Sequence, residues 1–364
     1  MSNKIEVAGT LGLPTLPIRH LLRQKLRGLA LVIGPFAAAL LISGCILELV
    51  GVSPLEYYGL VIERGLFHPR GLEGTFSRTA PLLLIGASLI VSFRAGQWNL
   101  GVDGQFLLGA LACAVIAPVA VQLHTPTPVM LAASLLAGTL VGAIWALLPA
   151  VLKTYHGVSE IITTLMTTFL GISLCNVLIK LLFADPSAVS PATPVIAMVD
   201  RLPRLFGSTV TSGLLLGIIV LVITHVAMSR TAGGLKLRLL GANLKATRHA
   251  GLNVPKLMMT SFLISGALAG LAGAVAILGV IGSMRADWNP GYGLMVVPLV
   301  FLARMNGWAV IGLVFLFSML NIGSESAAIR THVPQAFNYA LIGLLLVFMA
   351  LAEYLDHRRS LRGE

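Results

Sequence analysis

The sequence predicts an all-α polytopic membrane protein with about ten transmembrane helices, and composition is the first reason. Apolar residues make up 57% of the 364 residues and charged residues only 11%, and the mean hydropathy is +0.91. A soluble domain carries roughly 25% charged residues. A chain with so little polar surface cannot cover itself in water, and it is therefore expected in a lipid bilayer.

The second reason is the recurrence of long apolar runs. About 20 helical residues cross the roughly 30 Å of bilayer hydrocarbon, and most of the runs approach that length. The runs lie at 29–52, 79–95, 104–122, 128–150, 159–183, 212–228, 257–282, 292–304, 309–329 and 335–352. Because the run at 292–304 is short, an arrangement with nine spans remains an alternative.

The third reason is the distribution of the basic residues. Ten spans put both termini on one face, which then collects 17 of the 25 Lys and Arg residues. Basic residues accumulate in cytoplasmic loops, so both termini are expected in the cytoplasm. This predicts a cytoplasmic basic segment at 1–28, one transmembrane domain at 29–352 and a cytoplasmic basic tail at 353–364. The net charge of +11 is explained without a nucleic-acid partner.

Small residues recur four apart in two of the runs. Gly138 and Gly142 form one pair, and Gly266 and Gly270 form another. Such pairs let helix backbones approach closely inside a bilayer. We expect close packing at these glycines, within the chain or between two subunits.

The most informative stretch is residues 93–109, which read FRAGQWNLGVDGQFLLG. This stretch places polar side chains and four glycines between two apolar runs. Bilayer-embedded backbone must satisfy its own hydrogen bonds, so such a break survives only beside protein or a watery cavity. Breaks of this kind often mark a substrate or ion pathway.

A second polar break in the C-terminal half repeats part of the first. Trp98-Asn-Leu-Gly101 returns as Trp288-Asn-Pro-Gly291, and the predicted topology puts the two breaks near opposite faces. Transporters often contain inverted repeats with interrupted helices at corresponding positions; chance is the alternative for so short a match. We expect a solute pathway in which indole rings stack on a nucleobase or a sugar face. Its expected residues are Trp98, Asn99, Asp103, Gln105, Trp288 and Asn289.

Asp103 is expected to cap the third predicted helix, because a helix N-terminus stabilises an acidic side chain.

The loop from Ser229 to Lys256 carries six basic residues and no acid. Residues 242–250 predict a short helix, with Gly251 at a stop position and Pro255 beyond it. A short surface helix with small residues on one face suits docking into a groove on a cytoplasmic partner. Contact of the basic loop with anionic lipid is the alternative.

Common catalytic motifs are absent from the sequence. It contains no G-x-x-x-x-G-K-[ST], no H-E-x-x-H and no G-x-S-x-G, so neither nucleotide hydrolysis by a phosphate-binding loop nor zinc or serine hydrolase chemistry is expected. Cys45, Cys113 and Cys175 lie in apolar runs and are expected to be core residues.

The motifs at 96–105 and 241–252 resemble permease subunits of bacterial ATP-binding-cassette (ABC) importers. The resemblance covers about residues 25–355 and is to the simple-sugar and nucleoside type, related to ribose and branched-chain amino-acid permeases. It implies uptake of a small polar solute across the inner membrane by alternating access. A nucleoside is the expected solute, with a simple sugar or a branched-chain amino acid as alternatives.

The resemblance also implies a set of partners. These are a cytoplasmic ABC ATPase that binds ATP and Mg, a second related permease and an extracytoplasmic substrate-binding lipoprotein or periplasmic protein. The chain itself is expected to bind no cofactor or metal and to have no catalytic residue. The ATPase-coupling residues implied are Gly241, Ala242, Asn243, Ala246, Ala250 and Gly251. The chain departs from the family pattern at Thr247-Arg248 and at 304–308.

A secondary transporter driven by protons or sodium is the rival class. Glu48, Glu160 and Glu325 lie in or at the ends of predicted spans and are the candidates for an ion relay.

Overall fold

The computed structural model describes residues 18–205, 207–334 and 336–361, and within these ranges it is helical with only isolated β-bridges. The helices are α1 (Ile18–Leu49), α2 (Pro54–Ile62), α3 (Pro69–Arg94), α4 (Val102–Gln122), α5 (Thr127–His156), α6 (Glu160–Leu178), α7 (Gly213–Arg230), α8 (Ala232–Ala242), α9 (Leu244–His249), α10 (Val254–Ala276), α11 (Tyr292–Leu302), α12 (Gly307–Thr331) and α13 (Ala336–Leu361). Single π-helical turns continue α2, α6 and α10. The predicted all-α polytopic class is confirmed.

The chain divides into two compact units. The first comprises residues 1–46 and 340–364, and its described parts belong to α1 and α13. The second comprises residues 47–339 and contains α2 to α12. The candidate sites all lie in the second unit.

Among the described residues, seven helices are long and apolar enough to cross a membrane. They are α3, α4, α5, α6 with its π turn, α7, α10 with its π turn, and α12. The other three predicted spans correspond to shorter apolar stretches in α1, α11 and α13. Most predicted boundaries lie within a few residues of the observed ones. The larger differences are that α1 begins eleven residues before its apolar run, at Ile18, that α3 begins ten residues before its run, at Pro69, and that α13 ends nine residues after its run, at Leu361.

Helix boundaries follow local chemistry. Pro69 opens α3, where its missing N–H costs no helical hydrogen bond. Asn253 caps α10 by accepting from the backbone N–H of Lys256 at 3.0 Å. Gly157 ends α5 with φ +66°, a left-handed conformation that favours glycine.

The second unit has two distinguishable ends. We call the end that carries α8 and α9 the basic end; the C-termini of α3 and α7 and the N-terminus of α10 lie there. The opposite end carries the loop 184–212, where Thr209 donates to Glu73 of α3 at 2.6 Å. Arg78 and Glu325 form an ion pair of 2.6 Å on the same half of the bundle.

α2 and its π turn lie between the predicted runs at 29–52 and 79–95, where the hydropathy pattern predicted no helix. They pack on α12, where Tyr57 and Val61 form a buried cluster with Ala327 and Val333. The close approach requires glycine: a Cβ on Gly65 would lie 2.5 Å from the carbonyl oxygen of Met319.

α11 is a half-length helix. Its 11 residues span about 16 Å at 1.5 Å per residue, roughly half of the bilayer hydrocarbon. The irregular segment 283–291 precedes it, with a turn at Ala286 and Asp287, and pairs with the loop 184–212 of the opposite end through the bridge between Arg285 and Ala192. The predicted short span at 292–304 is therefore an interrupted crossing, part irregular chain and part helix.

Three helices form the densest part of the bundle through glycine contacts. A Cβ on Gly109 of α4 would lie 2.5 Å from the Cα of Gly270 of α10. A Cβ on Gly142 of α5 would lie 2.7 Å from the same Cα, and a Cβ on Gly266 would lie 2.5 Å from the Gly142 carbonyl oxygen. The predicted glycine pairs therefore form a packing seam within the chain, where dispersion contacts replace the hydrophobic effect as the cause of association.

Replacing Gly270 by Ala should lower the melting temperature of the detergent-purified protein. The added methyl group would overlap backbone atoms of α5, and overpacking of this kind typically costs about 1–3 kcal/mol. Cys113 and Cys175 are buried, so a thiol-reactive dye reports unfolding once the exposed Cys45 is replaced by Ser. Gly312→Ala is the matched control, because nothing lies within 4 Å of its Cβ position; equal melting temperatures for the two variants would contradict the seam.

Candidate solute pathway and partner-docking site

The polar side chains of segment 93–109 mostly hydrogen-bond to protein groups, both within the segment and on neighbouring helices. Asn99 and Gln105 exchange two amide hydrogen bonds of 3.0 and 3.2 Å, and Asn99 also donates to the Ser265 hydroxyl of α10 at 2.9 Å. Ser88 of α3 donates to the Ser265 carbonyl at 2.7 Å. Asn99 and Gln105 are fully buried, so this network joins α3, α4 and α10 and satisfies polar groups that lipid could not.

The expectation that Asp103 caps its own helix is wrong. Gly101 is the N-cap residue of α4 and Asp103 lies in the first turn. Its carboxylate accepts from the backbone N–H groups of Gly293 at 2.6 Å and Leu294 at 3.2 Å. These are N–H groups at the start of α11, which have no partner within their own helix. Asp103 therefore caps α11, 190 residues away, and the helix N-terminus stabilises its negative charge.

The other end of α11 also meets segment 93–109. The Phe301 ring stacks on Phe93 with centroids 4.7 Å apart and on Trp98 at 5.3 Å. Arg94 donates from Nη2 to the carbonyl of Met305 at 2.9 Å, just beyond α11. One polar segment thus holds the half-length helix at both ends.

The repeated tetrapeptide has the same local hydrogen bond in both copies. The Asn99 side chain accepts from the Gly101 N–H at 3.1 Å, and the Asn289 side chain accepts from the Gly291 N–H at 3.0 Å. Each turn leads directly into a helix whose N-cap is that glycine. The glycines differ in φ, −81° against +64°, so the hydrogen bond recurs while the backbone path does not. The inverted repeat stays a prediction.

The second tryptophan lies before the N-terminus of α11. The Trp288 ring contacts Phe106 with centroids 5.8 Å apart and borders a depression of about 390 Å³ that Lys180, Arg285 and Asp287 also line. Asp287 has φ +63° and is held by Lys180 at 3.1 Å and by the Asn176 amide oxygen, which accepts its N–H at 2.8 Å. Trp98 and Trp288 therefore lie near opposite ends of α11.

The predicted docking helix is present but shorter than expected. α9 covers six residues, Leu244–His249, and the Asn243 side chain caps it by accepting from the Ala246 N–H at 3.0 Å. Gly251 has φ +73°, which confirms its stop position. The six residues implied by the resemblance, Gly241, Ala242, Asn243, Ala246, Ala250 and Gly251, are all exposed.

The surface around α9 mixes small, apolar and basic groups. Leu235, Leu239 and Leu244 are between 39 and 48% exposed, beside exposed Lys245 and Arg248. Thr247 is 2% exposed and faces inward, so of the two departures from the family pattern in this helix only Arg248 lies on the surface.

Several residues that shape the site gave weak sequence signals. Phe301, Met305 and Ser265 sit inside or beside ordinary apolar runs, and their partners are distant in sequence. Arg304 and Met305 are consecutive left-handed residues, with φ +51° and +57°. They lie in the turn that departs from the glycine-rich family pattern, and that departure was the one sequence signal for an unusual backbone there.

The three acidic residues proposed as an ion relay for a secondary transporter do not form a cluster, and two of them are paired with basic residues. Glu160 contacts Lys153 at 2.6 Å near the basic end, and Glu325 contacts Arg78 at 2.6 Å in the other half. Glu48 is exposed. Within the described ranges no three His, Cys, Asp or Glu side chains gather as metal ligands would.

Replacing Asp103 by Asn should destabilise the protein more than it alters solute choice. An amide has one acceptor oxygen, so one buried N–H of α11 would lose its partner, at a cost of about 1–3 kcal/mol. The measurement is thermal unfolding together with competition between solutes. Asp185→Asn is the control, because that exposed carboxylate also accepts from two donors, both of Ser187, whose hydrogen bonds lower the pKa of Asp185. Normal stability with altered solute preference for Asp103→Asn would contradict the capping role.

Comparison with known proteins places these features in a family. A family model described as the branched-chain amino acid transport system permease component matches residues 71–350. The chain is 32% identical to the glucose ABC transporter permease protein TsgB13 of Haloferax volcanii, over 88% of this chain and 87% of that protein.

Two further relatives match over similar lengths. The guanosine ABC transporter permease protein NupP of Bacillus subtilis is 30% identical over 88% of this chain and 91% of its own length. The nucleoside ABC transporter permease protein NupB of Lactococcus lactis is 26% identical, over 85% and 87%. The chain therefore belongs to the branched-chain amino acid transport system permease family, and it is a multi-pass membrane permease subunit of an ABC transporter.

Proposed function

We propose that this permease imports a nucleoside across a bacterial inner membrane by alternating access, with both termini in the cytoplasm. The observation that carries the proposal is the arrangement around α11, a half-length helix with Trp98 near one end and Trp288 near the other. Interrupted helices commonly flank the solute site of a transporter. The basic end faces the cytoplasm in this proposal, in keeping with its excess of Lys and Arg.

The exposed segment 241–251 is the proposed docking surface for a cytoplasmic ABC ATPase. Its small side chains allow the segment to enter a groove on the partner. The exposed leucines beside them add apolar surface that the partner can cover. ATP and Mg bind to that partner, and this chain carries no cofactor of its own. A second permease and an extracytoplasmic substrate-binding protein complete the proposed importer.

The available chemistry favours a nucleoside over a sugar. Asn99, Asp103 and Gln105 are buried and hydrogen-bonded within the protein, so they do not offer the many hydrogen bonds that sugar hydroxyls require. Trp98 is 42% exposed and Trp288 half-buried, and an indole face suits a planar base. Named relatives that carry guanosine and nucleosides support this choice, and the relative named for glucose supports a sugar as the second candidate.

These positions revise the roles proposed for the pathway residues. Trp98, Trp288 and Asn289 stay as proposed pathway residues, since each is at least partly exposed. Asn99, Asp103 and Gln105 are proposed to hold the pathway walls instead of touching the solute. Exchange between outward-open and inward-open states would then change which end of the pathway is open.

Uptake of radiolabelled guanosine by the reconstituted complex should require ATP hydrolysis by the partner ATPase. A variant of that ATPase without its Walker lysine is expected to abolish uptake, because this chain has no phosphate-binding loop. Excess unlabelled nucleoside should compete with the label, whereas glucose and leucine should not.

Each alternative outcome identifies a different protein. Uptake that survives the ATPase variant and collapses when an ion gradient is dissipated would mean a secondary transporter. If uptake depends on ATP and glucose blocks it, the protein is an importer of the proposed class, but its solute is a sugar and not a nucleoside.

Replacing Ala246 by Trp should prevent co-purification of the ATPase. The bulky ring would fill the exposed face of α9 without changing the charge, and truncation or blocking of an interface centre typically costs 2 kcal/mol or more, about thirtyfold in affinity. Val189→Trp, at a fully exposed position of the loop 184–212, is the control.

The same experiment separates docking from lipid binding. If α9 rests on anionic lipid, Ala246→Trp should leave the ATPase bound, and Lys245→Glu should weaken association with anionic vesicles instead. That pair of results would contradict the docking surface.

A further inference from the structure

The docking segment contacts the polar break through two glycines. A Cβ on Gly96 would lie 2.8 Å from the Cα of Gly241, the next-to-last residue of α8. A Cβ on Gly241 would lie 2.8 Å from the Gly96 nitrogen and would also meet the carbonyl of Arg94. Backbone therefore touches backbone, which gives a contact with no flexible side chain to absorb a displacement.

The same break holds α11. Arg94 binds the carbonyl of Met305 at 2.9 Å, Trp98 and Phe93 stack on Phe301, and Asp103 caps the N-terminus. All three anchors lie within ten residues of Gly96. A shift of α8 against Gly96 therefore acts on both ends of α11 at once.

Two features mark this region as unlike the packed seam. The Gln97 amide oxygen is buried, and no donor among the described residues reaches it, an unfavourable state for a buried acceptor. Arg304 and Met305 hold left-handed backbone at the exit of α11, which costs energy for residues with a Cβ. Local strain of this kind is typical of segments with a second arrangement.

We propose that Gly96 and Gly241 are positioning residues that transmit movement of α8 to α11 through segment 93–109. This inference rests on the proposed function, because it takes docking of an ATPase on α8 and α9 as the source of the movement. The transmitting parts are packed backbone and a capped half-length helix, which move as rigid pieces and not by gradual deformation. α11 then alternates between two positions beside the solute pathway.

The direct test is Gly96→Ala in the reconstituted complex, with solute uptake and ATP hydrolysis measured in the same vesicles. Coupling between sites commonly corresponds to effects of about 5- to 150-fold, so uptake per ATP hydrolysed should fall by at least about fivefold. Gly241→Ala places a methyl group on the other side of the same contact and should also reduce uptake.

Gly157→Ala is the matched control at the same end of the bundle. Gly157 has φ +66°, close to the +69° of Gly96, and nothing lies within 4 Å of its Cβ position. Both substitutions therefore carry the same backbone strain, and only Gly96→Ala adds the collision with α8. Gly157→Ala should keep the wild-type ratio of uptake to hydrolysis.

The possible outcomes separate this inference from the proposed function. Wild-type uptake that does not need the ATPase would overturn both. ATP-dependent wild-type uptake with an unchanged ratio in Gly96→Ala would overturn the coupling contact alone, as would an equal loss in Gly157→Ala.

A distance measurement keeps the inference testable if Gly96→Ala folds poorly. Spin labels at Leu294 of α11 and Leu140 of α5, which are 54 and 51% exposed, report α11 against the glycine seam once the exposed Cys45 is replaced by Ser. Nucleotide trapping of the labelled complex with Gly96 and Gly241 unchanged should change the label distance. An unchanged distance in a complex that transports would overturn the movement of α11.

Discussion

The N–H groups at the start of α11 must find acceptors inside the bundle, where water is scarce. A helix that begins near the middle of a membrane protein leaves its first amides without partners, and in hydrocarbon each orphan is costly. Asp103 supplies two acceptor contacts from another helix. That pairing joins the first turn of α4 to the start of α11, and the contact of Trp288 with Phe106 lies beside it.

The helices α4, α5 and α10 form a closely packed frame beside α11. α4, α5 and α10 meet at glycines so closely that a single methyl group would overlap backbone. The buried network of Asn99, Gln105 and Ser265 ties the polar break to this seam. The middle of α11 is packed as well, because Val296, Leu299 and Val300 are buried against α3, α4 and α12. Both of its ends are bound by segment 93–109, so a displacement of that segment has a directed effect on α11.

Much of the architecture could be predicted from the sequence, because a bilayer imposes strong rules. Hydropathy located the long helices, and the glycine pairs indicated close packing without distinguishing a contact within the chain from one between subunits. The role of Asp103 could not be predicted, since its partners are backbone groups 190 residues away and carry no side-chain signal. The burial of Asn99 and Gln105 could not be predicted either. A sequence does not distinguish a polar side chain that faces a cavity from one that hydrogen-bonds to another side chain.

The same limit explains the docking segment. The helix cap at Asn243 and the helix stop at Gly251 depend on neighbouring residues only, so the sequence is sufficient to predict them. The contact of Gly241 with Gly96 joins two distant glycines, and a glycine required by close approach resembles one required by a turn. Only the structure distinguishes the two cases, because it places backbone atoms where a Cβ of Gly96 or Gly241 would lie.

Amide hydrogen exchange at Gly293 and Leu294 measures most directly whether Asp103 secures α11. Compared with wild type, Asp103→Asn should accelerate exchange at one or both of these amides, while the Trp308 amide, which the Asn306 side chain caps at 3.0 Å, should be unaffected. Equal exchange at Gly293 and Leu294 in the two proteins would contradict the capping of α11 by Asp103.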